Sequence, residues 1–352
     1  MSTMALAEVP APLPTVALRD RQQRRIEYLR LSVTDRCNLR CTYCMPASGV
    51  EHMAREDVLS FEEIAALARC FASLGVRRLR LTGGEPTLRR ELPLLVAMLR
   101  GIPGIEELAL STNGLRLSEL AAPLRRAGVD RLNVSVDSLD PDRFARITRG
   151  GDVRRVLAGL QAARAVGFAA IKLNAVAVRG FNDDELPAIC AYAWAHGLVP
   201  RFIEQMPMAD GALFVPGAFL GAQQIREIIA AGVPGARLVA EGAHGPAAGA
   251  GPARYWRVEG GGDDGVRRFG IISPLTEHFC DACNRVRLSA SGALHTCLGH
   301  DDATDLRAAL RAGGPDAVVD AIRGAVGAKR DGHQFGLLGI GGPRKTMVQI
   351  GG

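Results

Sequence analysis

The chain has 352 residues, 47% of them apolar and 23% charged, the balance of a core-forming globular protein, which excludes general disorder. No stretch approaches the ~18 uninterrupted apolar residues of a membrane span, and the first residues lack the basic start and apolar block of a secretory signal, so a cytoplasmic protein is expected. A net charge of +6 suits an anionic ligand without identifying one.

Residues 1–25 are Ala/Pro-rich, then Arg-rich, and read as a flexible extension. Strand-like runs then alternate with amphipathic helical patterns. Strands are expected at 28–34, 77–82, 107–112, 130–136, 170–178 and 199–205. The first helix is announced by Ser60 and Glu63 as a capping box, carried by Ile64, Leu67, Ala68 and Phe71, and ended by Gly75. Further helices are expected at 91–100, 117–127, 153–166 and 183–195. This alternation predicts parallel βαβ units over a first domain at 26–210. A Gly/Ala-rich connector follows at 211–265, with one short strand at 254–258. A C-terminal region at 266–352 holds a hairpin that turns at Ser291-Gly292, a helical stretch at 303–327 and a terminal Gly351-Gly352.

Strand parity adds a constraint. Arg30 and Ser32 share one face of the first strand and Leu29, Leu31 and Val33 the other; Arg78 and Arg80 oppose Leu79 and Leu81; Asn133, Ser135 and Asp137 oppose Val134 and Val136; Lys172 and Asn174 oppose Ile171 and Leu173. A flat sheet covered by helices on both sides would want both faces apolar. A curved sheet instead gathers the polar set in a basic interior suited to a phosphorylated ligand.

Six of the eight cysteines carry the chemistry. Cys70 and Cys190 sit alone in helical patterns and read as small core residues. Cys37, Cys41 and Cys44 form a CxxxCxxC just after the first strand, at the sheet edge where barrel enzymes place their chemistry. Three thiolates cannot close a four-ligand zinc site, but can hold three irons of a [4Fe–4S] cluster and leave the fourth open. A zinc knuckle completed by His52 is the alternative. Cys280, Cys283 and Cys297 form a second group of three, with His278, His295 and His300 nearby, so on spacing alone a Cys3His zinc ribbon competes with a cluster.

CxxxCxxC with Tyr43 before its last cysteine, followed by Gly83-Gly84-Glu85-Pro86 after the second strand, resembles the radical S-adenosylmethionine superfamily. The string from Phe279 through Cys280, Cys283, Asn284, Arg285, Val286, Arg287 and Leu288, with Cys297 beyond it and Gly-Gly at the end, resembles the GTP 3′,8-cyclase family within it. The resemblance runs from about Arg30 to Gly352. It implies an incomplete (βα)6 TIM-like barrel with a C-terminal segment that carries a second cluster and closes the open end. It implies two [4Fe–4S] clusters, on Cys37, Cys41 and Cys44 and on Cys280, Cys283 and Cys297, and S-adenosylmethionine bound by Tyr43, Gly84, Glu85, Ser135 and Met206. GTP would meet Arg30, Arg78, Arg80, Thr112, Lys172, Arg201, Arg285, Val286 and Arg287; Arg285, Arg287, Gly351 and Gly352 would assist catalysis. A 5′-deoxyadenosyl radical would take the hydrogen from C3′ of GTP, and the carbon radical would attack C8 of guanine in the first step of molybdenum cofactor synthesis. The implied partners are an electron donor, the cyclic pyranopterin monophosphate synthase that takes the product and, as one option, a second copy of the chain, with no membrane and no nucleic acid. Two rivals are a peptide- or RNA-modifying radical enzyme and a non-enzymatic zinc-ribbon nucleic-acid-binding protein.

Overall fold

A computed structural model describes residues 17–242, 251–260 and 266–351. Six parallel strands stand in sequence order: β1 (Tyr28–Ser32), β2 (Arg78–Thr82), β3 (Glu107–Thr112), β4 (Arg131–Ser135), β5 (Ala170–Ala177) and β6 (Val199–Glu204). The crossovers are α1 (Phe61–Ser73), α2 (Leu92–Arg100), α3 (Leu117–Ala127), the pair α4 (Pro141–Thr148) and α5 (Val153–Ala165), and α6 (Leu186–Ala195). The predicted apolar strand faces supply the core between strands and helices, with Leu29, Leu31, Leu79, Leu81, Leu110, Leu132 and Val134 fully buried. Ser60 and Glu63 make the predicted capping box at the head of α1. Cys70 and Cys190 are buried core residues on α1 and α6.

The C-terminal half completes the sheet. It contributes α7 (Ala222–Gly232), β7 (Arg237–Gly242), β8 (Arg254–Glu259), β9 (Arg267–Ile272), β10 (Arg285–Leu288), β11 (Ala293–His295), β12 (Thr304–Asp305), α8 (Leu306–Gly327) and α9 (Met347–Ile350). Strand β9 pairs in parallel with β6, and β10 in parallel with β1. The order β12-β11-β10-β1-β2-β3-β4-β5-β6-β9-β8-β7 therefore has eight parallel strands at its centre. An open six-stranded barrel leaves unpaired N–H and C=O groups at both edges; the C-terminal half satisfies both and brings its own side chains to the opening.

Four expectations change. The extension is not loose up to residue 25: Arg19 and Arg25 form an antiparallel bridge, and Asp20 and Arg24 are buried as an ion pair. The connector is not mainly loops: α7 buries Ala222, Ile225 and Ile229 in a second apolar cluster, and β7 pairs antiparallel with β8. Its low-complexity runs at 243–250 and 261–265, like residues 1–16 and Gly352, lie outside the described residues. Helix α4 has no counterpart in the predicted elements, although Asp140 caps it, Pro141 opens it and Phe144 and Ile147 bury its inner face. The stretch expected at 303–327 is broken at Gly314-Pro315, where Gly314 takes φ +66°. Among the described residues no helix is long and apolar enough to cross a membrane.

Candidate active site

The strands converge on two chambers of about 240 and 170 Å³ that share Arg30, Ser111, Asn174, Ile203, Met206, Arg287 and Leu298 as walls. The first is lined by Cys37, Cys41 and Cys44, with Tyr43, Gly84, Glu85, Thr112 and Ser135; the second by Cys280, Cys283 and Cys297, with Arg80, Arg201 and Arg285. The two cysteine triads thus line adjoining chambers with shared walls.

The loop after β1 and the GGEP loop after β2 are built on each other. The Gly84 N–H donates to the Thr34 carbonyl at 2.9 Å and the Glu85 N–H to the Arg36 carbonyl at 2.7 Å. A Cβ on Gly83 would meet the Thr34 oxygen at 2.4 Å, and one on Gly84 the Arg36 oxygen at 2.4 Å. These glycines admit the cysteine loop itself, a constraint that stands apart from the S-adenosylmethionine contact the resemblance implies for Gly84. Glu85 is 1% exposed. Its Oε1 accepts from the Thr87 N–H and hydroxyl and from the Thr112 hydroxyl, and its Oε2 accepts from the Asn113 N–H at 2.7 Å. Glu85 is therefore first a clamp between β2 and β3, and Thr112 is one of its donors. Burial raises the Glu85 carboxyl and these bonds pull it back. Replacing Gly84 by alanine should cost about 1–3 kcal/mol through overpacking, read as a lower midpoint in apoprotein thermal melts; an unchanged midpoint would contradict the close approach.

Tyr43 donates its hydroxyl to Asp137 Oδ2 at 2.7 Å, and Asp137 Oδ1 accepts from the Val176 N–H at 2.8 Å. Burial pushes Asp137 up to about 6. Asp137 was placed on the polar strand face from sequence but not as a site residue; it pins the CxxxCxxC loop to the ends of β4 and β5. Burial also raises the thiols of the first triad, Cys37 to about 11 and Cys44 to about 12, with Cys41 in the same direction. Neutral soft donors in an apolar pocket become thiolates when a metal supplies the missing positive charge. Thiolates on one tetrahedral zinc lie about 3.8 Å apart, from Zn–S bonds near 2.3 Å. Among the described residues the one group of potential metal ligands with all ligand atoms within 4.8 Å of one another is His278, Cys280 and His333; neither cysteine triad meets that limit. Three soft donors spaced too widely for one ion fit a multi-iron cluster.

The second triad has a different electrostatic setting. Burial raises Cys280, but at Cys283 the opposing attraction of Arg285 and Lys329 outweighs burial and leaves the thiol below its ordinary value. Phe279 carries the Arg285 guanidinium over its ring at 4.9 Å, and His333 stacks on Phe335 at 4.3 Å. Phe279 opens the string that carries the family resemblance, but His333 and Phe335 have no such signal, because isolated aromatics some fifty residues further along carry no local motif.

The basic wall follows from strand register. Arg287, Arg30 and Arg80 are direct partners on β10, β1 and β2, on strands about 4.8 Å apart. Burial, then repulsion from Arg287 and Arg80, holds the Arg30 guanidinium well below its ordinary range. Burial, then repulsion from Arg285, brings Arg287 down to about 10. Tyr28 takes a hydrogen bond from Arg80 Nε and offers Arg80 its ring face. Opposite, Arg201 is fixed by Asn174 Oδ1 at 2.9 Å and Asn133 Oδ1 at 2.7 Å. Gly270, its partner on β9, leaves it room, since a Cβ there would meet Arg201 Cγ at 3.1 Å.

Some nominated residues are not at the cavity wall. Arg78 lies one pleat below Arg80, half-buried, 4.0 Å from the Glu27 carboxylate. Lys172 is buried against the Tyr255 ring at 5.7 Å, one pleat below Asn174. Val286 turns its side chain into the core, as its parity between Arg285 and Arg287 requires. Strand β6 ends at Glu204, so strand parity does not reach Met206, which lines both chambers. At the C-terminus, Ile350 is buried with Met208, Phe214, Leu275 and Phe335, and Met347 and Val348 line the first chamber. Gly351 takes φ +87°, its carbonyl accepts from Arg287 Nη1 at 3.3 Å, and a Cβ there would lie 3.0 Å from Ser32 Cβ.

Comparison with known proteins places these features. The Radical SAM superfamily profile matches residues 31–193 and the Molybdenum Cofactor Synthesis C profile residues 199–335. The GTP 3',8-cyclase of Pelotomaculum thermopropionicum is 43% identical over 95% of this chain and all of its own length. That of Caulobacter vibrioides is 47% identical over 89% of this chain and 87% of its own. Among solved structures, Streptococcus suis SuiB bound to its precursor peptide SuiA aligns with a TM-score of 0.63 over 91% of this chain and 72% of its own, at 12% identity, a likeness of fold alone.

Proposed function

Because the chain belongs to the GTP 3′,8-cyclase family of the radical S-adenosylmethionine superfamily, we infer that it converts GTP to 3′,8-cyclo-7,8-dihydro-GTP, the first step of molybdenum cofactor synthesis. The observation that carries this reading is the pair of adjoining chambers, one holding each cysteine triad, whose walls share a rung of arginines. When bound, the cluster on Cys37, Cys41 and Cys44 and S-adenosylmethionine supply the electron and the 5′-deoxyadenosyl radical.

The chain's own residues bind, orient and exclude water. Arg287, Arg30, Arg80 and Arg201 bind the triphosphate: crowded, desolvated guanidinium groups repel one another until an anion neutralises them, and their forks match phosphate oxygens. The ring walls of Phe279, His333 and Phe335 beside the second triad suit a flat base. Tyr43, held by Asp137, and the loop held by Glu85 orient the ligands of the first chamber. Ile203, Met206 and Leu298, on the walls of both chambers, and Met347 and Val348, on the first, keep water from the reacting groups. The same reading gives the enzyme an electron donor, a synthase that takes its product and a cytoplasmic location, with a homodimer as one option.

Anaerobically reconstituted protein is expected to hold about eight irons in two four-iron clusters and to turn over GTP with S-adenosylmethionine and a reductant. One zinc at the second triad of a fully active enzyme would refute the two-cluster reading. A second test uses pH. Burial, then Arg201 and Arg80, lowers Lys172 to about 7. A triphosphate on the neighbouring arginines favours its ammonium form and raises that value, so GTP binding takes up a proton above pH 7. The KM for GTP should be flat below about 7 and rise by up to tenfold per pH unit above it. Lys172→Met should remove that rise; profiles that coincide for the two proteins would contradict the coupling.

A further inference from the structure

Residues 18–26 form a closed turn. The Ile26 N–H donates to the Leu18 carbonyl, the Asp20 N–H to the Arg24 carbonyl, and Gln23 takes φ +62° at the tip. Asp20 Oδ1 accepts from the Arg24 N–H at 3.0 Å and Oδ2 from Arg24 Nε at 2.5 Å. Both side chains are buried, Asp20 at 3% and Arg24 at 8% exposure. The Arg24 guanidinium is thus fixed by its own turn before it reaches anything else.

What it reaches is the second metal-binding region. Arg24 Nη1 donates to the Cys280 carbonyl and to the Asp331 carbonyl, each at 2.7 Å, and Nη2 to the Arg330 carbonyl at 2.8 Å. One side chain joins the first cysteine of the triad to the segment that carries Gly332 and His333. That segment has little slack: a Cβ on Gly332 would lie 3.2 Å from Cys280 Sγ, and the Gly332 carbonyl is bonded to His300 Nε2 at 2.9 Å. Lys329, buried one residue before Arg330, donates to the Thr296 carbonyl next to Cys297. The loops of Cys280 and Cys297 are short and irregular and carry few backbone bonds of their own, so buried cations from elsewhere in the chain fix their carbonyls.

We propose that Arg24, set by Asp20, is a positioning residue for the second cysteine triad: the N-terminal turn is part of the second cluster's binding site. The arrangement fits this role better than that of a staple for the N-terminus. Backbone bonds between Leu18, Ile26 and Leu74 already hold the turn to the barrel, whereas all three of Arg24's remote acceptors lie in the two segments that meet at Cys280. A planar fork with four of its five N–H donors engaged sets a position; a lysine has the charge but not that geometry.

The inference rests on the reading that the second triad holds an iron–sulfur cluster, and the test separates the two. Wild type, Arg24→Ala, Arg24→Lys and Asp20→Asn are reconstituted anaerobically, with Arg25→Ala as control on the exposed side of the same turn, where Arg25 pairs with Glu27. Iron and sulfide per chain and the electron paramagnetic resonance spectrum of the reduced protein are measured, with thermal melting alongside. Wild type and Arg25→Ala should hold about eight irons and show both cluster signals. Arg24→Ala should fall to about four, with the first cluster's signal unchanged; Arg24→Lys and Asp20→Asn should fall between. If Arg24→Ala melts lower yet keeps both signals, the iron count and the KM for GTP, Arg24 is a staple and the proposal is overturned. If wild type itself holds one cluster, the reading beneath it fails instead. Should Arg24→Ala not fold, the paired losses in Arg24→Lys and Asp20→Asn decide, and wild-type iron in both would overturn the proposal.

Discussion

Arg287→Ala should bind GTP ten- to a hundredfold more weakly than wild type while the apoprotein melts at the same or a higher temperature. A charge-assisted hydrogen bond to an anionic ligand is worth about 1.5–3 kcal/mol, which sets the size of the loss. The sign of the stability change follows from register. Arg287 stands beside Arg30, so removing its guanidinium relieves repulsion on Arg30, which burial has already lowered. A structural arginine would show the reverse pattern, with lost stability and unchanged affinity. Arg285→Ala should lower affinity over the same range, since Arg285 lines the chamber of the second triad. Normal GTP binding by the double variant would remove both residues from the substrate site.

Deleting Gly351 and Gly352 should leave both clusters and most GTP affinity but lower formation of the cyclised product by at least about a hundredfold, the scale of effect expected when reacting groups are misplaced by an ångström. Met347, Val348 and Ile350 remain to anchor α9, so the truncation does not unseat the tail. It removes the carbonyl that accepts from Arg287 and the residue packed on Ser32 at the end of β1. Gly351→Ala separates position from length: φ +87° and the 3.0 Å approach to Ser32 both disfavour a side chain, so it should reproduce part of the loss. Turnover of the truncated enzyme at the full-length rate would make the tail a passive end.

Much of this was legible in the sequence, for physical reasons. Period-two alternation placed Leu29, Leu79 and Leu132 in the core and Arg30, Arg80 and Asn133 on the opposite face, because side-chain parity is a local property of a strand. The cysteine triads were legible because metal-ligand spacing is written along the chain. Non-local features were not. Nothing local says that β10 pairs with β1, the pairing that turns Arg287 and Arg30 into a rung, or that the carbonyls of Cys280, Arg330 and Asp331 await Arg24. Arg78 and Lys172 have the parity of the site but lie one pleat too low; alternation gives a side chain's face, whereas its depth depends on where the cavity begins. Glu85 was read for its ligand and proved to be committed first to Thr87, Thr112 and Asn113.

The most direct test of the central claim follows one atom. GTP carrying deuterium at C3′ is incubated anaerobically with the reconstituted enzyme, S-adenosylmethionine and a reductant, and both products are read by mass spectrometry. The account predicts 5′-deoxyadenosine that has gained one deuterium and a nucleotide isomeric with GTP that has lost it. Unlabelled 5′-deoxyadenosine beside intact deuterated GTP would contradict the account: the interior would then generate the radical but not present C3′ of GTP to it.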